Sequence, residues 1–424
     1  MRKFILAHTN QSTKSGRFWL WIVLAFALGV GSVFAGGWLL YSGANAIESG
    51  GRLPERKILS ASELKAGRLA TFEADLKNKR RGTKNLVARM YERQLQDPDA
   101  TMDFLILSGG GENGAFGAGF LVGWSSIPEG ASSLPHFDGV TGVSAGSFIA
   151  PFAYLGNRKS LDKIDQFFRD PGADWLQLRS PIYFLPDLMS LATVPGLQRA
   201  LRKQITKNFA KEIIEASTPG RLLLIQSSNL DLAVPHIFDY REATRDSLES
   251  GDFDPMIEIL LASSAIPGLF PPREIDGSLY VDGGVVGNFY AGGRPSKPDF
   301  TFGGIWKREH PGLPIPKTRY WVILNGNLRE AAKTSSGSWP GIVARSLAVS
   351  VGSSEVVALR ELYALAELTR QRGQGEVEVR WVAIEEPLGA SVFPTLFDRD
   401  QMQRLSDLGR KMGANPKVWN ATAP

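Results

Sequence analysis

The apolar positions of the chain change period along its length. Residues 18–41 (FWLWIVLAFALGVGSVFAGGWLLY) form an unbroken run without charge. At about 1.5 Å per residue it is long enough to cross a hydrocarbon core with some tilt. Trp19, Trp21, Trp38 and Tyr41 lie near its ends, where an aromatic belt sits. Between residues 42 and 100 the pattern turns loosely helical, with Leu64, Leu69, Phe72, Leu76, Leu86, Met90 and Leu95 on a Lys-, Arg- and Glu-rich background. That predicts one or two amphipathic helices broken near Gly82. From residue 101 the pattern alternates between short apolar runs and helical stretches. FLIL at 104–107 predicts a buried strand ending in a glycine loop, and AFGAGFLVGW predicts a helix after it. Further strands are expected at 318–325 and 377–384, a long helix at 342–371, and a short terminal helix in DRDQMQRLSDLGRKMG. Residues 171–201 are apolar but interrupted by Pro181, Pro186 and Pro195, an irregular segment suited to covering a core or an acyl chain.

Charge sharpens the first part of this picture. The chain has 424 residues and a net charge of +5, yet residues 1–100 hold 16 Lys and Arg against 8 Asp and Glu, while the rest hold 32 against 35. A nucleic-acid-binding domain would carry its basic patch on the fold itself, so no nucleic-acid partner is expected. Arg2, Lys3, Lys14 and Arg17 precede the apolar run, and Arg52, Arg56 and Lys57 come after it. The excess on the N-terminal side points to a cytoplasmic N-terminus, a bilayer contact through residues 18–41, and a C-terminal domain on the outer, periplasmic side of an inner membrane. A cleavable signal ending near the small-x-small site Ala44-Asn45-Ala46, giving a secreted protein, is the alternative. The apolar run exceeds the roughly 7–15 residues of a signal core, which favours a retained anchor. Cysteine is absent, which excludes disulfides, cysteine zinc sites, a thiol nucleophile and a lipidated N-terminal cysteine.

Two blocks carry candidate chemistry. Ser108-Gly109-Gly110-Gly111-Glu112-Asn113-Gly114 joins a strand to a helix, so its backbone N–H groups can hold an anion or a developing oxyanion. The same glycines fit a dinucleotide fingerprint, but that reading needs a strand ending in an acidic residue about 20 residues later. The chain instead places Gly142-Val143-Ser144-Ala145-Gly146 between a predicted strand and a predicted helix, the setting of a nucleophilic serine, with the Ala145 N–H as a further oxyanion donor. Serine requires a base. Of the four histidines, only His310 comes late enough after Ser144 for a hydrolase triad, and it lies in a polar Pro-rich stretch; otherwise a carboxylate must serve. Asp276-Gly277 reads as a two-residue hairpin turn. Asp282-Gly283-Gly284 falls beyond that hairpin, where partial desolvation would raise the carboxylate's basicity and the glycines allow close approach to the serine.

SGGGENGAFGAG, GVSAG, and ASSAIPGLFPP followed by VDGG resemble, in order and spacing, the signature blocks of the patatin-like phospholipases. The resemblance implies an α/β fold, a three-layer α/β/α domain with a mixed central sheet, here preceded by an N-terminal transmembrane helix. It implies Ser144 as nucleophile, Asp282 as base, the amides of Gly109, Gly110 and Gly111 as oxyanion hole, and Gly114, Gly142, Gly146, Gly283 and Gly284 as supporting glycines. It also implies lipid or lipid-like ester hydrolysis with no metal and no cofactor. Asn113 stands where the family commonly has Arg or Lys, and residues 221–241 resemble the family's middle strand with its returning hairpin. The expected organisation is a basic flank (1–17), an anchor or uncleaved signal (18–41), a charged helical connector (42–100), the patatin-like hydrolase domain (101–390) and a helical tail (391–424). A non-catalytic lipid-binding protein, or an acyltransferase sharing the acyl-enzyme, are the alternatives.

Overall fold

The computed structural model describes residue 56 and residues 58–424, apart from 131, 180–188, 293–299, 330–331, 333, 336 and 386–395. The predicted anchor at 18–41 and the cleavage site near Ala46 lie outside the described residues. Residues 53–178 and 189–424 make one compact unit; of the second unit, 1–52 with 179–188, only Arg179 is described.

In chain order the compact unit contains α1 (Ala61–Gln96), β1 (Met102–Leu107), α2 (Gly114–Trp124), β2 (Gly139–Val143), α3 (Ala145–Leu155), α4 (Arg158–Arg169), β3 (Gln177–Leu178), β4 (Ala192–Thr193), α5 (Pro195–Gln204), α6 (Lys207–Glu215) and β5 (Leu222–Asn229). Next come β6 (Val234–Asp239), α7 (Tyr240–Ser250), α8 (Asp254–Ser263), β7 (Arg273–Ile275), β8 (Ser278–Val281), α9 (Phe302–Glu309), β9 (Thr318–Ile323), α10 (Trp339–Gln371), β10 (Val377–Val382) and α11 (Arg399–Gly413).

The fold is mixed α/β with a central, mostly parallel sheet. Strands β10, β9, β1, β2 and β5 run parallel in that order. β6 pairs antiparallel with one edge of β5, while the β7–β8 hairpin joins the other edge beyond the end of β2, through Ser228 and Asn229. Strands buried on both faces read as continuous apolar runs, which is why MDFLIL is β1. From β1 the chain moves outward to β2 and β5, and later returns to β9 and β10 on the other side. Such a reversal opens a crevice at the carboxyl ends of the strands, where α/β folds hold ligands.

Helices cover both faces. Leu105, Leu107, Val140, Leu223, Ile225 and Ile323 pack with α2, α3, α4 and α8 in the main core. Ile106, Val322 and Leu324 face Leu359 and Leu362 of α10, and Met102 meets Leu86, Val87 and Met90 of α1 with Ile305 and Trp306 of α9.

Two segments depart from expectation. α1 is one continuous helix, not two broken near Gly82: a helical glycine costs about 1 kcal/mol, and docking of Leu86, Val87 and Met90 on the fold offsets it. Its start is a capping box, in which Ser60 Oγ accepts the Glu63 N–H and Glu63 accepts the Ser60 N–H. α11 is a core element, because Gly119 and Gly123 of α2 lie against the backbone of Ser406 and Arg410, and Gly409 and Gly413 of α11 against that of Phe116 and Phe120. A methyl group on Gly123 would stand 2.1 Å from the Arg410 carbonyl oxygen. Thus α1 and α11, expected as connector and tail, belong to the same compact unit as the sheet.

Candidate active site

Ser144 ends β2 and begins α3 with φ 51° and ψ −122°, a strained conformation for a non-glycine residue. The glycines on either side make that turn fit: a Cβ on Gly142 would meet the Gly146 carbonyl at 2.4 Å, and one on Gly146 the Leu107 carbonyl at 2.5 Å. The turn is also held by bonds that no local pattern announces. Ser144 N–H donates to Ser263 Oγ at 3.0 Å, Ser263 Oγ donates to the Gln226 carbonyl at 2.6 Å, and Ser147 Oγ donates to the Ser144 carbonyl at 2.6 Å.

Asp282 comes directly after β8, and Ser144 Oγ donates to its Oδ2 at 2.7 Å. Its other oxygen accepts the Gly284 N–H at 2.7 Å. Burial pushes the Asp282 carboxyl up to about 6, against the bonds from Ser144 and Gly284 that favour its charged form. Its backbone is fixed on both sides, N–H to the Ala265 carbonyl at 2.9 Å and carbonyl from Ser228 Oγ at 2.8 Å. Gly283 packs where a Cβ would stand 2.5 Å from the Gln226 carbonyl, and a Cβ on Gly284 would stand 3.0 Å from Asp282 Oδ1. Asp276, with φ 49°, and Gly277 form the two-residue turn between β7 and β8.

The glycine loop corrects one expectation. The Gly109 N–H, expected as an oxyanion donor, is committed to the Asn288 carbonyl at 3.1 Å, because the 283–288 turn packs directly under the loop. A Cβ on Gly109 would stand 3.0 Å from Ser144 Cβ, so the loop packs against the Ser144 side chain. Among the described residues Gly110 and Gly111 donate to no acceptor, and Gly111, at φ 58°, faces open space. They are followed by a 3-10 turn over Gly111–Asn113 and by α2 starting at Gly114, whose missing side chain admits the Phe168 ring. The Asn113 side chain is half-buried, and its N–H returns to the Gly110 carbonyl at 3.1 Å.

Residues from distant parts of the chain brace this loop. Asn325, after β9, donates through Nδ2 to the Ser108 carbonyl at 2.7 Å and through its N–H to Ser108 Oγ at 2.9 Å. Glu112, buried, accepts the Phe397 N–H at 2.7 Å and so ties the C-terminal segment to the loop. Asn288 donates through Nδ2 to Glu355 of α10 at 2.6 Å. The histidines are engaged elsewhere: His310 stacks on Tyr91 at 4.1 Å, His236 contacts Phe238 at 4.4 Å, and His136 is held below its usual range by burial and by Arg221 and Arg89. No cluster of His, Asp and Glu able to hold a metal occurs among the described residues.

A strained serine bonded to a buried carboxylate beside unengaged backbone donors is an arrangement for acyl transfer. The patatin-like phospholipase family model matches residues 105–292, which span β1, the glycine loop, Ser144 and Asp282. The chain carries a patatin-like phospholipase domain. Members of this family are in general lipid acyl hydrolases. A solved structure, VipD from Legionella pneumophila, is similar at 12% identity with a TM-score of 0.26, over 72% of this chain and 67% of that one; at that score the likeness supports no statement about this chain. No curated protein sequence matches. A cavity of about 1150 Å³ opens on the sheet face beneath α1, beside Phe104, Ile106, Leu224 and Tyr320. Neither Ser144 nor Asp282 lines it, so this candidate site of the patatin-like domain and the cavity lie apart.

Proposed function

We propose that the protein is a lipid acyl hydrolase of the phospholipase A or lysophospholipase type, working through a Ser144–Asp282 dyad. The observation that carries this reading is the 2.7 Å bond from Ser144 Oγ to a buried Asp282. Ser144 Oγ attacks the ester carbonyl carbon as its proton passes to Asp282, and the carbonyl oxygen becomes an oxyanion facing the Gly110 and Gly111 amides. Asp282 returns the proton to the departing alcohol. Water then gives a proton to Asp282 and its oxygen to the acyl-enzyme, releasing the fatty acid and regenerating Ser144.

Ser144→Ala and Asp282→Asn are expected to lower hydrolysis of short p-nitrophenyl esters by at least about 10³-fold, whereas Asp276→Asn leaves it unchanged. A fluorophosphonate probe should label the parent chain and not Ser144→Ala. Equal rates in all three variants, or an unlabelled parent chain, would remove the dyad and leave a lipid-binding protein. The apolar run 18–41 supports attachment to a bilayer with the catalytic domain on the periplasmic side. A C-terminal reporter active only in the cytoplasm would reverse that orientation.

A further inference from the structure

Strand β5 changes character towards its carboxyl end. Leu222, Leu223, Leu224 and Ile225 are apolar, and three buried polar residues follow in a row, Gln226, Ser227 and Ser228. A buried polar side chain is costly unless its hydrogen bonds are made. The donors of all three are spent on one short segment. β8 pairs with β5 as far as Val281, opposite Ser228, and then leaves the ladder. Beyond that point side chains take over from main chain. Ser227 Oγ donates to the Val281 carbonyl at 2.8 Å and Ser228 Oγ to the Asp282 carbonyl at 2.8 Å. Gln226 Nε2 donates to the Gly283 carbonyl at 3.3 Å and to the Gly287 carbonyl at 2.5 Å. Successive side chains of a strand point to opposite faces, so this segment is held from both faces of β5.

Gln226 is tied to the serine turn as well. Its own carbonyl accepts Ser263 Oγ at 2.6 Å, and Ser263 Oγ accepts the Ser144 N–H at 3.0 Å. One residue therefore holds the turn after Asp282 with its side chain and the turn at Ser144 with its main chain, the latter through Ser263 at the end of α8. The 2.7 Å bond from Ser144 Oγ to Asp282 Oδ2, between residues 138 apart in sequence, lies between these two anchors. None of the Gln226 bonds ends on Ser144 Oγ or on the Asp282 carboxylate, so its action on the pair is through position.

We propose that Gln226 is a positioning residue that holds the Ser144 and Asp282 turns at proton-transfer distance, with Ser263 as its link to Ser144. For its effect on rate the proposal rests on the dyad reading above. Its structural half is read by amide hydrogen exchange, which needs no turnover, so the two can fail separately.

Gln226→Met keeps the length of the side chain and removes both Nε2 bonds; Ser263→Ala removes the link to Ser144. Gln226→Asn, whose amide is one methylene short of the two carbonyls, is a second variant should Gln226→Met not fold. The control is Tyr363→Phe, which removes a side-chain donor to the Val379 carbonyl of β10, at the opposite edge of the sheet. All are made in the full-length chain. With a short p-nitrophenyl ester, Gln226→Met and Gln226→Asn are expected to lose about 10–100-fold in kcat with KM unchanged, the scale of a misplacement of about 1 Å. Ser263→Ala should lose a similar factor. The double variant should lose less than the product of the two, because releasing either end already frees the pair. Tyr363→Phe should keep the parental kcat. Amides of residues 282–288 should exchange several-fold faster in Gln226→Met, and those of residues 142–147 several-fold faster in Ser263→Ala, with neither changed in Tyr363→Phe. Unchanged exchange at 282–288 in Gln226→Met, a parental kcat in that variant, a loss confined to KM, or an equal kcat loss in Tyr363→Phe would each overturn the proposal. A parent chain that hydrolyses no ester would instead remove the hydrolase reading, and the exchange rates would still decide whether Gln226 holds the two turns.

Discussion

At the scale of single residues, the unusual group is Asp282. In the proposed dyad its carboxyl, pushed up to about 6 by burial, must be ionised to accept the Ser144 proton. Hydrolysis of a soluble ester should therefore rise with pH through about 6 and level off above it; a rate independent of pH between 4 and 8 would contradict Asp282 as base. The stability consequence has the opposite sign. A carboxyl raised in the folded state favours folding while protonated, and this contribution is lost as pH rises through about 6. Asp282→Asn, neutral at every pH, is expected to stabilise the fold at pH 7 by about 1–3 kcal/mol, seen as a higher denaturant midpoint in the inactive variant. Ser144 and Asp282 were legible in the sequence because each sits in a glycine pattern that serves close approach. Ser263, Gln226, Asn288, Asn325 and Glu112 were not. Their roles are hydrogen bonds across more than a hundred residues or to an unpatterned neighbour, and nothing in local sequence distinguishes them from other polar residues.

At the scale of elements, the strand-to-helix turns were predictable because apolar period and glycine punctuation change together at residues 108 and 144. The contact between α2 and α11 was not. Gly119, Gly123, Gly409 and Gly413 matter because each lies against the backbone of the opposite helix, and a list of glycines carries no such pairing. A methyl group on Gly119 would stand 2.2 Å from the Ser406 carbonyl oxygen, and on Gly409 2.1 Å from that of Phe116. Both oxygens belong to helix backbone and cannot step aside. Gly119→Ala and Gly409→Ala should each destabilise the protein by about 1–3 kcal/mol or more, measured as a fall in denaturant midpoint. Gly111→Ala, which meets only open space but sits at φ 58°, should cost less in crowding and register as strain of about 1–2 kcal/mol.

At the scale of the whole molecule, α1 is a strap across the fold. Asp138, fully buried at the entry to β2, receives Arg93 Nη1 at 2.8 Å and Arg89 Nε at 3.1 Å, both from α1, and accepts the Asp103 N–H. Removing a buried carboxylate strands its partners. Because Arg93 and Arg89 are 35% and 15% exposed, water recovers part of the loss. Asp138→Ala is expected to cost about 3 kcal/mol and to loosen α1, so that trypsin cuts sooner at Lys79-Arg80-Arg81 than in the parent chain; an unchanged cleavage rate would show that apolar docking alone holds the helix.

By itself the sequence determined the α/β alternation, the glycine-flanked turn at Ser144 and the hairpin at Asp276-Gly277, and it singled out Asp282 as the candidate base. These rest on local period, turn chemistry and the lack of a suitably placed histidine or any cysteine. Only the tertiary structure decided that the connector and tail are parts of the domain, that the Gly109 amide is already bonded, and that α10 enters the core through Leu359, Leu362 and Ala366 of its C-terminal half. The reason is physical: burial and hydrogen-bond commitment belong to pairs of segments, and a linear pattern records only one member of each pair.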